Sequence, residues 1–278
     1  MSTPAPRPRS PDVDARPLAV VTGPTAGIGR AFAERLAAAG HDLLLVSRDA
    51  ERLSAVAAEL GAQHGARADT HPADLADEHA VRALAARLSA AARVDLLVNN
   101  AGFGTHARVV GGDPDAEARM IAVHCAAPLR LAQAVLPGMV ARRAGAVINV
   151  ASIAAFVPNA RYATYNATKA FLQLLSEGVA AEVAGSGVRV QALCPGFTRT
   201  EFHARMGPTG SAMASRIPAA LWMSADDVVD ASLRALARGG PVTVVPGLGY
   251  RAAVAVFRRL PLRALAWGAR RSPAQRRA

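Results

Sequence analysis

Leu18-Ala-Val-Val-Thr22 followed by Gly23-Pro-Thr-Ala-Gly27-Ile-Gly29-Arg30 is the stretch that decides the fold of this 278-residue chain. The first five residues predict a buried strand, and the apolar period after the last glycine predicts a helix. Glycines between them let the turn tighten, let backbone amides approach a pyrophosphate and let the helix pack on the strand. No Lys-Ser or Lys-Thr pair follows, which excludes a P-loop. The residues predicted to form a dinucleotide-binding turn are Gly23, Thr25, Gly27, Ile28 and Gly29.

Short apolar runs alternate with longer segments of helical period from residue 18 to residue 245. This alternation predicts an α/β fold: a doubly wound parallel sheet of about seven strands, with helices on both faces, in a single domain. The predicted strands are Leu18–Thr22, Asp42–Ser47, Ala66–His71, Asp95–Asn99, Gly145–Ser152, Val188–Cys194 and Val242–Val245. The predicted helices are Ile28–Ala39, Ala50–Leu60, Glu78–Ala91, Ala116–Arg142, Arg161–Ala184 and Asp226–Arg238.

The segment Thr198–Met223 breaks this rhythm because it is rich in Gly, Pro, Met and Ala and has no clear period. It follows the sixth predicted strand. Ligands of open α/β sheets bind outside the carboxyl ends of the strands, so the segment is predicted to be a lid over a substrate. An ordinary surface insertion is the alternative.

The net charge of +11 is concentrated at the ends of the chain. Residues 18–248 carry 21 basic against 19 acidic residues, a net charge of +2, whereas residues 249–278 carry eight arginines and no acid. The sequence therefore predicts three parts: a disordered N-terminal arm (1–17), a catalytic domain (18–248) and a basic, partly helical tail (249–278).

The basic tail mixes arginines with Phe257, Leu265 and Trp267 and is interrupted by Pro261. Such a segment suits peripheral contact with an anionic membrane. Packing beside a substrate pocket or at a subunit contact is the alternative. Nucleic-acid binding is not expected, because the tail has no aromatic stacking platform except Trp267 and no recognition motif.

Cysteine, histidine and signal content narrow the functional class further. The two cysteines form neither a CxxC pair nor a disulfide framework, which indicates a reducing, cytoplasmic setting. No apolar signal-peptide core and no segment of some 20 uncharged apolar residues occur, so a membrane span is not expected. The seven histidines are scattered without ligand spacing, so no metal site is predicted.

Ser47 and Arg48 end the second predicted strand, about 20 residues past the glycine turn, where an NAD binder would place an acid. A hydroxyl and a guanidinium suit the 2′-phosphate instead, so NADP(H) is predicted in preference to NAD(H). Asp49 is the competing acid, but it stands where a helix needs an N-cap.

The chain contains a single lysine, Lys169, against 31 arginines, and it lies four residues after Tyr165. This spacing places both side chains on one face of a helix. A nearby ammonium favours the phenolate and moves its pKa toward the working range, which suits a proton donor. Ser152, at the end of the fifth predicted strand, supplies a hydroxyl to orient a carbonyl. A chance lysine and a strand-end hydroxyl are the alternatives.

These features resemble the short-chain dehydrogenase/reductase family over residues 18–247. The resemblance rests on an ordered set of motifs that also includes the Ser152, Tyr165 and Lys169 spacing. The other motifs are Asp74-Leu75, Asn99-Asn-Ala-Gly102 and Pro195-Gly196, which follow the third, fourth and sixth predicted strands. The segments Gly102-Phe-Gly-Thr105 and Tyr165-Asn-Ala-Thr-Lys169 are similar to the branch of bacterial ketoacyl and hydroxysteroid reductases.

The resemblance implies a Rossmann-type fold and hydride transfer between NADP(H) and a carbonyl or secondary alcohol, with an apolar ketone or aldehyde as substrate. Tyr165 would donate the proton, and Lys169 would also bond the nicotinamide ribose. Asp74 would contact the adenine ring, and Thr200 would hold the nicotinamide carboxamide. The other cofactor-binding residues that it implies are Leu75, Asn100, Ala101, Gly102, Pro195, Gly196 and Thr198.

One residue departs from the family pattern: His124 occupies the place of an asparagine that helps to hold a water in a relay to the lysine. His124 would bond that water or carry the proton itself, since imidazole titrates near neutrality. Alternatively, it is a satisfied core histidine and the relay differs.

The resemblance also implies a homodimer or homotetramer, because family members pair through the helices that correspond to Ala116–Arg142 and Arg161–Ala184. A cofactor-binding sensor or membrane-associated scaffold with weak catalysis is the alternative function. The departure at His124 favours this alternative, and the complete set of Ser152, Tyr165 and Lys169 opposes it.

Overall fold

The computed structural model describes residues 16–105, 109–160 and 162–260. Seven strands form one sheet: β1 Leu18–Thr22, β2 Asp42–Ser47, β3 Ala68–Pro72, β4 Leu96–Asn99, β5 Gly145–Val150, β6 Val188–Leu193 and β7 Thr243–Val244. The helices are α1 Gly27–Ala38, α2 Ala50–His64, α3 Glu78–Ala90, α4 Pro114–Ile121, α5 Ala127–Arg142, α6 Ala163–Glu182, α7 Phe202–Arg205, α8 Gly207–Ala214, α9 Ala225–Ala237 and α10 Leu248–Phe257.

All neighbouring strands are parallel, in the order β3-β2-β1-β4-β5-β6-β7. Val20 of β1 lies between Leu44 of β2 and Leu97 of β4 in the register. The strand order reverses between β1 and β4, so a crevice opens at their carboxyl ends. The predicted Rossmann-type α/β fold is confirmed.

Two apolar clusters cover the two faces of the sheet, which explains why the strands are continuous apolar runs. On one face, α1, α2 and α9 contribute Phe32, Leu53 and Val228. On the other face, α3 and α5 contribute Leu84 and Leu131. The seven-stranded sheet is therefore buried between helical layers, and its carboxyl edge remains for a site.

The helix predicted over Ala116–Arg142 is interrupted, and this corrects the prediction. Ala122–Ala126 form a π-helical turn between α4 and α5, with the Ala127 amide bonded to the Ala122 carbonyl. The extra residue turns His124 inward, where it is fully buried. A periodicity argument cannot detect one inserted residue, because the apolar faces of α4 and α5 each keep their own period.

Length and hydropathy alone would let the continuous helical stretch Pro114–Arg142 cross a membrane, with a mean hydropathy of 1.3 in its most apolar window. In the fold, Leu131, Val135 and Met139 of this stretch are buried in the core cluster under the sheet. Its apolar character is therefore that of a core helix.

The segment predicted as a lid forms a closed loop over the carboxyl edge. Thr198 and Met223 form a parallel bridge at its base. The Met223 amide donates to Phe197 O and the Arg199 amide donates to Met223 O, each at 2.9 Å. Helices α7 and α8 lie between these ends. We call residues 198–223 the lid.

The tail predicted from residue 249 begins as helix α10, which packs on the body. Val254 of α10 is buried beside Cys194 and Val245. Residues 261–278, with Leu265 and Trp267, and most of the predicted N-terminal arm lie outside the described residues. The part of the tail that the structure describes is thus helical and joined to the domain.

Candidate active site

A cavity of about 920 Å³ opens at the carboxyl edge of the sheet, at the upper end of the usual size of small-molecule sites. The glycine turn, residues 198–206 and Phe257 of α10 all contribute to its lining. Except for Gly29 and His124, every residue that the sequence predicted for cofactor binding or catalysis lines this cavity.

The glycine turn has the geometry that a close-approaching phosphate requires. Gly23 and Gly27 have φ angles of +66° and +57°, in the left-handed region that favours glycine. A Cβ on Gly27 would come within 2.8 Å of Thr200, and one on Gly29 within 2.1 Å of Gly23 O. Because the turn has no room for side chains, its backbone amides and the start of α1 remain available to an anion.

Asn100 fastens the loop after β4 to this turn. Its side-chain amide donates to Thr22 O at 2.9 Å and to Gly23 O at 3.0 Å. The amides of Asn100 and Ala101 both donate to the Thr22 hydroxyl, at 2.9 and 3.0 Å. The two walls of the crevice are therefore held together at the point where a dinucleotide would cross it.

Arg48 lines the cavity at the end of β2 and is exposed. It takes part in none of the ion pairs among the described residues. Asp49 accepts a hydrogen bond from the Arg52 amide at 3.0 Å and caps α2, which confirms its predicted structural role. Arg52, in the first turn of α2, also lines the cavity, which the sequence did not indicate.

Asp74 follows β3 and already has partners for both carboxylate oxygens. One accepts from the Ala76 amide at 3.0 Å and the other from Arg119 at 2.9 Å. These hydrogen bonds and the nearby guanidinium groups outweigh partial burial and lower the pKa of Asp74. Arg119 reaches the cavity from α4, which the sequence did not indicate. Asp74 therefore stays ionised beside Leu75 in the region predicted for adenine.

Ser152 and Tyr165 meet at the cavity wall. Ser152 lies two residues beyond β5, not within it as predicted, because the chain turns there into a short 3₁₀ helix at Ile153–Phe156. Its hydroxyl accepts from the Ala154 amide at 3.1 Å. Burial raises the pKa of Tyr165 to about 12, and a hydrogen bond with Ser152 opposes part of this rise. The phenol is thus protonated at neutral pH.

Lys169 lies one turn further along α6, with its Nζ atom 5.7 Å from the Tyr165 ring centroid. The ammonium donates to Val150 O at 2.9 Å, at the end of β5. Burial lowers the pKa of Lys169 to about 8. The sequence argument expected the ammonium to lower the pKa of Tyr165, whereas burial of the phenol is the larger effect here.

His124 is buried with both ring nitrogens bonded. Nε2 accepts from the Phe103 amide at 3.0 Å, and Nδ1 lies 3.0 Å from the Thr168 hydroxyl. The Thr168 hydroxyl donates its proton to the backbone carbonyl oxygen of Tyr165 at 2.8 Å, so it can only accept from His124. Nδ1 must therefore be the protonated nitrogen. Burial, and secondarily the Lys169 charge, hold the pKa of His124 well below 6.5. Of the two roles that the sequence left open, this geometry favours the satisfied core histidine.

The turn after β6 brings Pro195, Gly196, Thr198 and Thr200 to the cavity, as the resemblance implied. The Thr198 hydroxyl donates to Gly196 O at 3.1 Å, and Thr200 Oγ1 accepts from the Phe202 amide at 3.2 Å. Thr200 lies directly above Gly27, since a Cβ there would touch its methyl group. The turn therefore closes over the glycine turn at the centre of the groove.

Aromatic and apolar side chains line the substrate end of the cavity, and the sequence did not assign them. The Phe202 ring lies 5.8 Å from the Tyr165 ring, and His203 packs at 5.2 Å against Trp222. The composition of the lid indicated an apolar surface, but only the fold shows which side chains face inward. The apolar residues lining this end are Phe103, Ile153, Val157, Phe197, Phe202, Met206 and Phe257.

The residues present fit a nicotinamide dinucleotide, because the glycine turn that a Cβ would fill and the Tyr165–Lys169 pair lie along one groove. In this arrangement the glycine turn would hold the pyrophosphate, and Tyr165 and Lys169 would lie beside the nicotinamide ring.

Comparisons with known proteins agree with this geometry. The sequence profile of the short chain dehydrogenase family matches residues 17–209. The very-long-chain 3-oxoacyl-CoA reductase of Laccaria bicolor is 38% identical over 179 residues, which cover 63% of this chain but only 53% of that protein. The chain thus spans about half the length of this relative.

Two solved structures share the fold over nearly their whole length. A short-chain dehydrogenase from Sphingobium yanoikuyae in complex with NADPH has a TM-score of 0.79 and 35% identity, covering 94% of this chain and 98% of its own. The bulky-bulky ketone specific alcohol dehydrogenase from Comamonas testosteroni has a TM-score of 0.74 and 29% identity, covering 88% and 95%. This chain belongs to the short-chain dehydrogenase/reductase family, whose members are oxidoreductases that use nicotinamide cofactors.

Proposed function

We propose that this protein is an NADPH-dependent reductase of bulky, apolar ketones or aldehydes, and that it catalyses the reverse alcohol oxidation when the substrates favour it. The observation that carries this proposal is the meeting of Ser152, Tyr165 and Lys169 between the glycine turn and an aromatic substrate pocket. This arrangement places a proton donor between a dinucleotide groove and an apolar ligand site.

Each residue of this group has a distinct task. The Ser152 hydroxyl orients the carbonyl oxygen, and Tyr165 gives its proton to that oxygen. The raised pKa of Tyr165 keeps this proton in place at neutral pH until substrate arrives. Lys169 stabilises the phenolate that remains. The bound nicotinamide supplies the hydride, and the protein supplies position and proton.

The pH dependence of the reaction should report on Lys169. Because burial lowers the pKa of Lys169 to about 8, its ammonium is lost as the pH rises through that value. Loss of the ammonium removes the charge that stabilises the Tyr165 phenolate, so kcat/KM for carbonyl reduction should fall above pH about 8. Since the pKa of Tyr165 is about 12, its own titration lies far above this range. A flat profile up to about pH 10 would contradict the role of Lys169.

The preference for NADPH over NADH rests on Ser47 and Arg48, with Arg52 as a second guanidinium nearby. Arg48→Ala should raise the Kd for NADPH by about 10- to 100-fold and leave the Kd for NADH unchanged, because only NADPH carries the 2′-phosphate. Fluorescence titration measures both constants. Arg67→Ala, which changes an exposed arginine outside the cavity, is the matched control. Equal losses for both cofactors in Arg48→Ala would refute the assignment.

The substrate class follows from the lining of the pocket. The Phe202 ring lies 5.8 Å from the Tyr165 ring, and apolar groups form most of the cavity surface. The alcohol dehydrogenase from Comamonas testosteroni is specific for bulky-bulky ketones, which supports a bulky ketone as the substrate here. A screen of NADPH oxidation with aryl ketones, fatty acyl ketones and steroid ketones tests the proposal.

The screen also separates the reductase from the alternative function. Firm NADPH binding without turnover of any ketone would favour a cofactor-binding sensor or scaffold. None of the relatives reported above is a sensor or a scaffold. Membrane contact through the tail and a cytoplasmic location remain predictions.

A homodimer or homotetramer is the expected assembly, since members of this family are commonly oligomeric. Ile121 on α4 and Phe171 and Leu174 on α6 are exposed apolar residues. They lie on the two helical stretches that the family resemblance assigns to pairing. A second copy of the chain would remove these side chains from water.

A further inference from the structure

Tyr250 of α10 joins the two ends of the lid through a single hydroxyl. Its Oη atom accepts from the Phe197 amide at 3.1 Å and donates to Leu221 O through a short hydrogen bond. Phe197 comes immediately before the lid and Leu221 lies near its end. The Tyr250 hydroxyl therefore links the turn after β6 to the C-terminal end of the lid.

Packing of the Tyr250 ring also explains why residue 196, in the turn predicted to hold the nicotinamide carboxamide, is a glycine. A Cβ on Gly196 would lie 2.2 Å from two carbons of this ring. Gly196 has no positive φ angle, so it is the missing side chain that matters and not backbone freedom. The ring thus packs directly against the turn predicted to hold the carboxamide.

Helix α10 contacts the rest of the domain independently of the lid, so the position of Tyr250 does not depend on the lid. Val254 is buried, and Arg251 Nε donates to Val245 O at 2.9 Å. The Arg258 guanidinium lies 5.9 Å from the ring centroid of Phe156, in the 3₁₀ helix that follows Ser152. Phe257 reaches the cavity from the same helix. Helix α10 and the residue after it therefore contact the turn after β6, the end of the lid and the 3₁₀ helix after Ser152.

The hydrogen bonds at its base are one part of what positions the lid. Phe202, His203 and Met206 face the cavity from α7 and the residue after it, and all three are half-buried. Two backbone hydrogen bonds of Met223 close the base, and the Tyr250 hydroxyl adds two more. Loss of that hydroxyl would leave the Phe197 amide and the Leu221 carbonyl without this partner.

We propose that Tyr250 is a positioning residue that holds the lid over the substrate, and that Phe257 on the same helix forms the outer wall of the substrate pocket. The remote apolar part of a bulky carbonyl compound would then lie between Phe202 and Phe257. A small aldehyde would not reach this wall. Only the kinetic part of this inference rests on the proposed reductase function.

Hydrogen exchange on the full-length chain tests the positioning role without catalysis. Tyr250→Phe keeps the ring against Gly196 and removes only the hydroxyl, so amides of residues 197–223 should exchange about tenfold faster. Val256→Ala is the matched control, because Val256 lies on the same helix with 55% of its surface exposed and outside the cavity. Unchanged exchange in Tyr250→Phe, or equal acceleration in Val256→Ala, would overturn the role.

Steady-state kinetics test the substrate wall with benzil as the bulky probe and butanal as the small one. Tyr250→Phe and Phe257→Ala should each raise KM for benzil about tenfold and change kcat/KM for butanal by a clearly smaller factor, because butanal does not reach the outer wall. Phe257→Ala should not accelerate exchange in the lid. Equal losses for both probes would refute the wall. If wild-type protein oxidises NADPH with neither probe while Tyr250→Phe still accelerates exchange, the reductase proposal fails and the positioning role stands.

Discussion

Tyr165→Phe is expected to lower kcat for carbonyl reduction by about 10²- to 10⁴-fold, the contribution typical of a positioned general acid. Phenylalanine keeps the ring that lies 5.9 Å from His124 and 5.8 Å from Phe202, so the packing of the pocket is preserved. What it removes is the hydroxyl bonded to Ser152 and its proton. The loss should therefore fall on the chemical step and not on binding.

Single-turnover oxidation of NADPH with a ketone substrate measures that step directly. Fluorescence titration should give an unchanged Kd for NADPH, and thermal unfolding should show that the fold is intact. A variant that retains more than about a tenth of the wild-type kcat would remove Tyr165 from the role of proton donor. Lost NADPH binding would instead show that the substitution disturbs the groove.

Gly29→Ala should have the largest effect on the glycine turn. Its Cβ would lie 2.1 Å from Gly23 O and 2.3 Å from the side-chain nitrogen of Asn100. To make room, Asn100 must give up its hydrogen bonds to Thr22 O and Gly23 O, which hold the two walls of the crevice together. We expect a loss of about 3 kcal/mol or more in the free energy of unfolding, together with weakened NADPH binding.

Urea unfolding and NADPH titration measure these two effects. Gly61→Ala is the matched control, because Gly61 lies inside α2 and its Cβ would meet only Ala66 O at 3.6 Å. That substitution should stabilise the protein by up to about 1 kcal/mol, the helix propensity difference between the two residues. A Gly29→Ala protein with wild-type stability and affinity would show that the turn can move aside.

Features that depend on local sequence were predictable. The strand-turn-helix at Leu18–Gly29 and the spacing of Ser152, Tyr165 and Lys169 follow from periodicity and from short-range geometry. The same holds for the N-cap at Asp49, because capping depends only on the following residues. These elements predict the fold class and the edge of the sheet at which the site is expected.

Features that depend on burial were not predictable. The π-helical turn around His124 exists only in the packed helix pair, and it decides that the imidazole is bonded on both sides. The pKa of Tyr165 follows from how much water the fold removes around it, not from its distance to Lys169 along the helix. The segment from residue 249 is predicted to be a basic, partly helical tail from its arginines, whereas the packing of α10 through Val254 depends on the fold.

The burial of Lys169 gives the protein an unusual chemical property. It is the only lysine in the chain, and the other 31 basic residues are arginines, which do not form stable adducts with amine reagents. With a pKa of about 8, half of its amine is uncharged and nucleophilic in mildly alkaline solution. Apart from the N-terminal amine, the chain therefore offers a single primary amine to a covalent label, and that amine is buried in the wall of the reaction cavity.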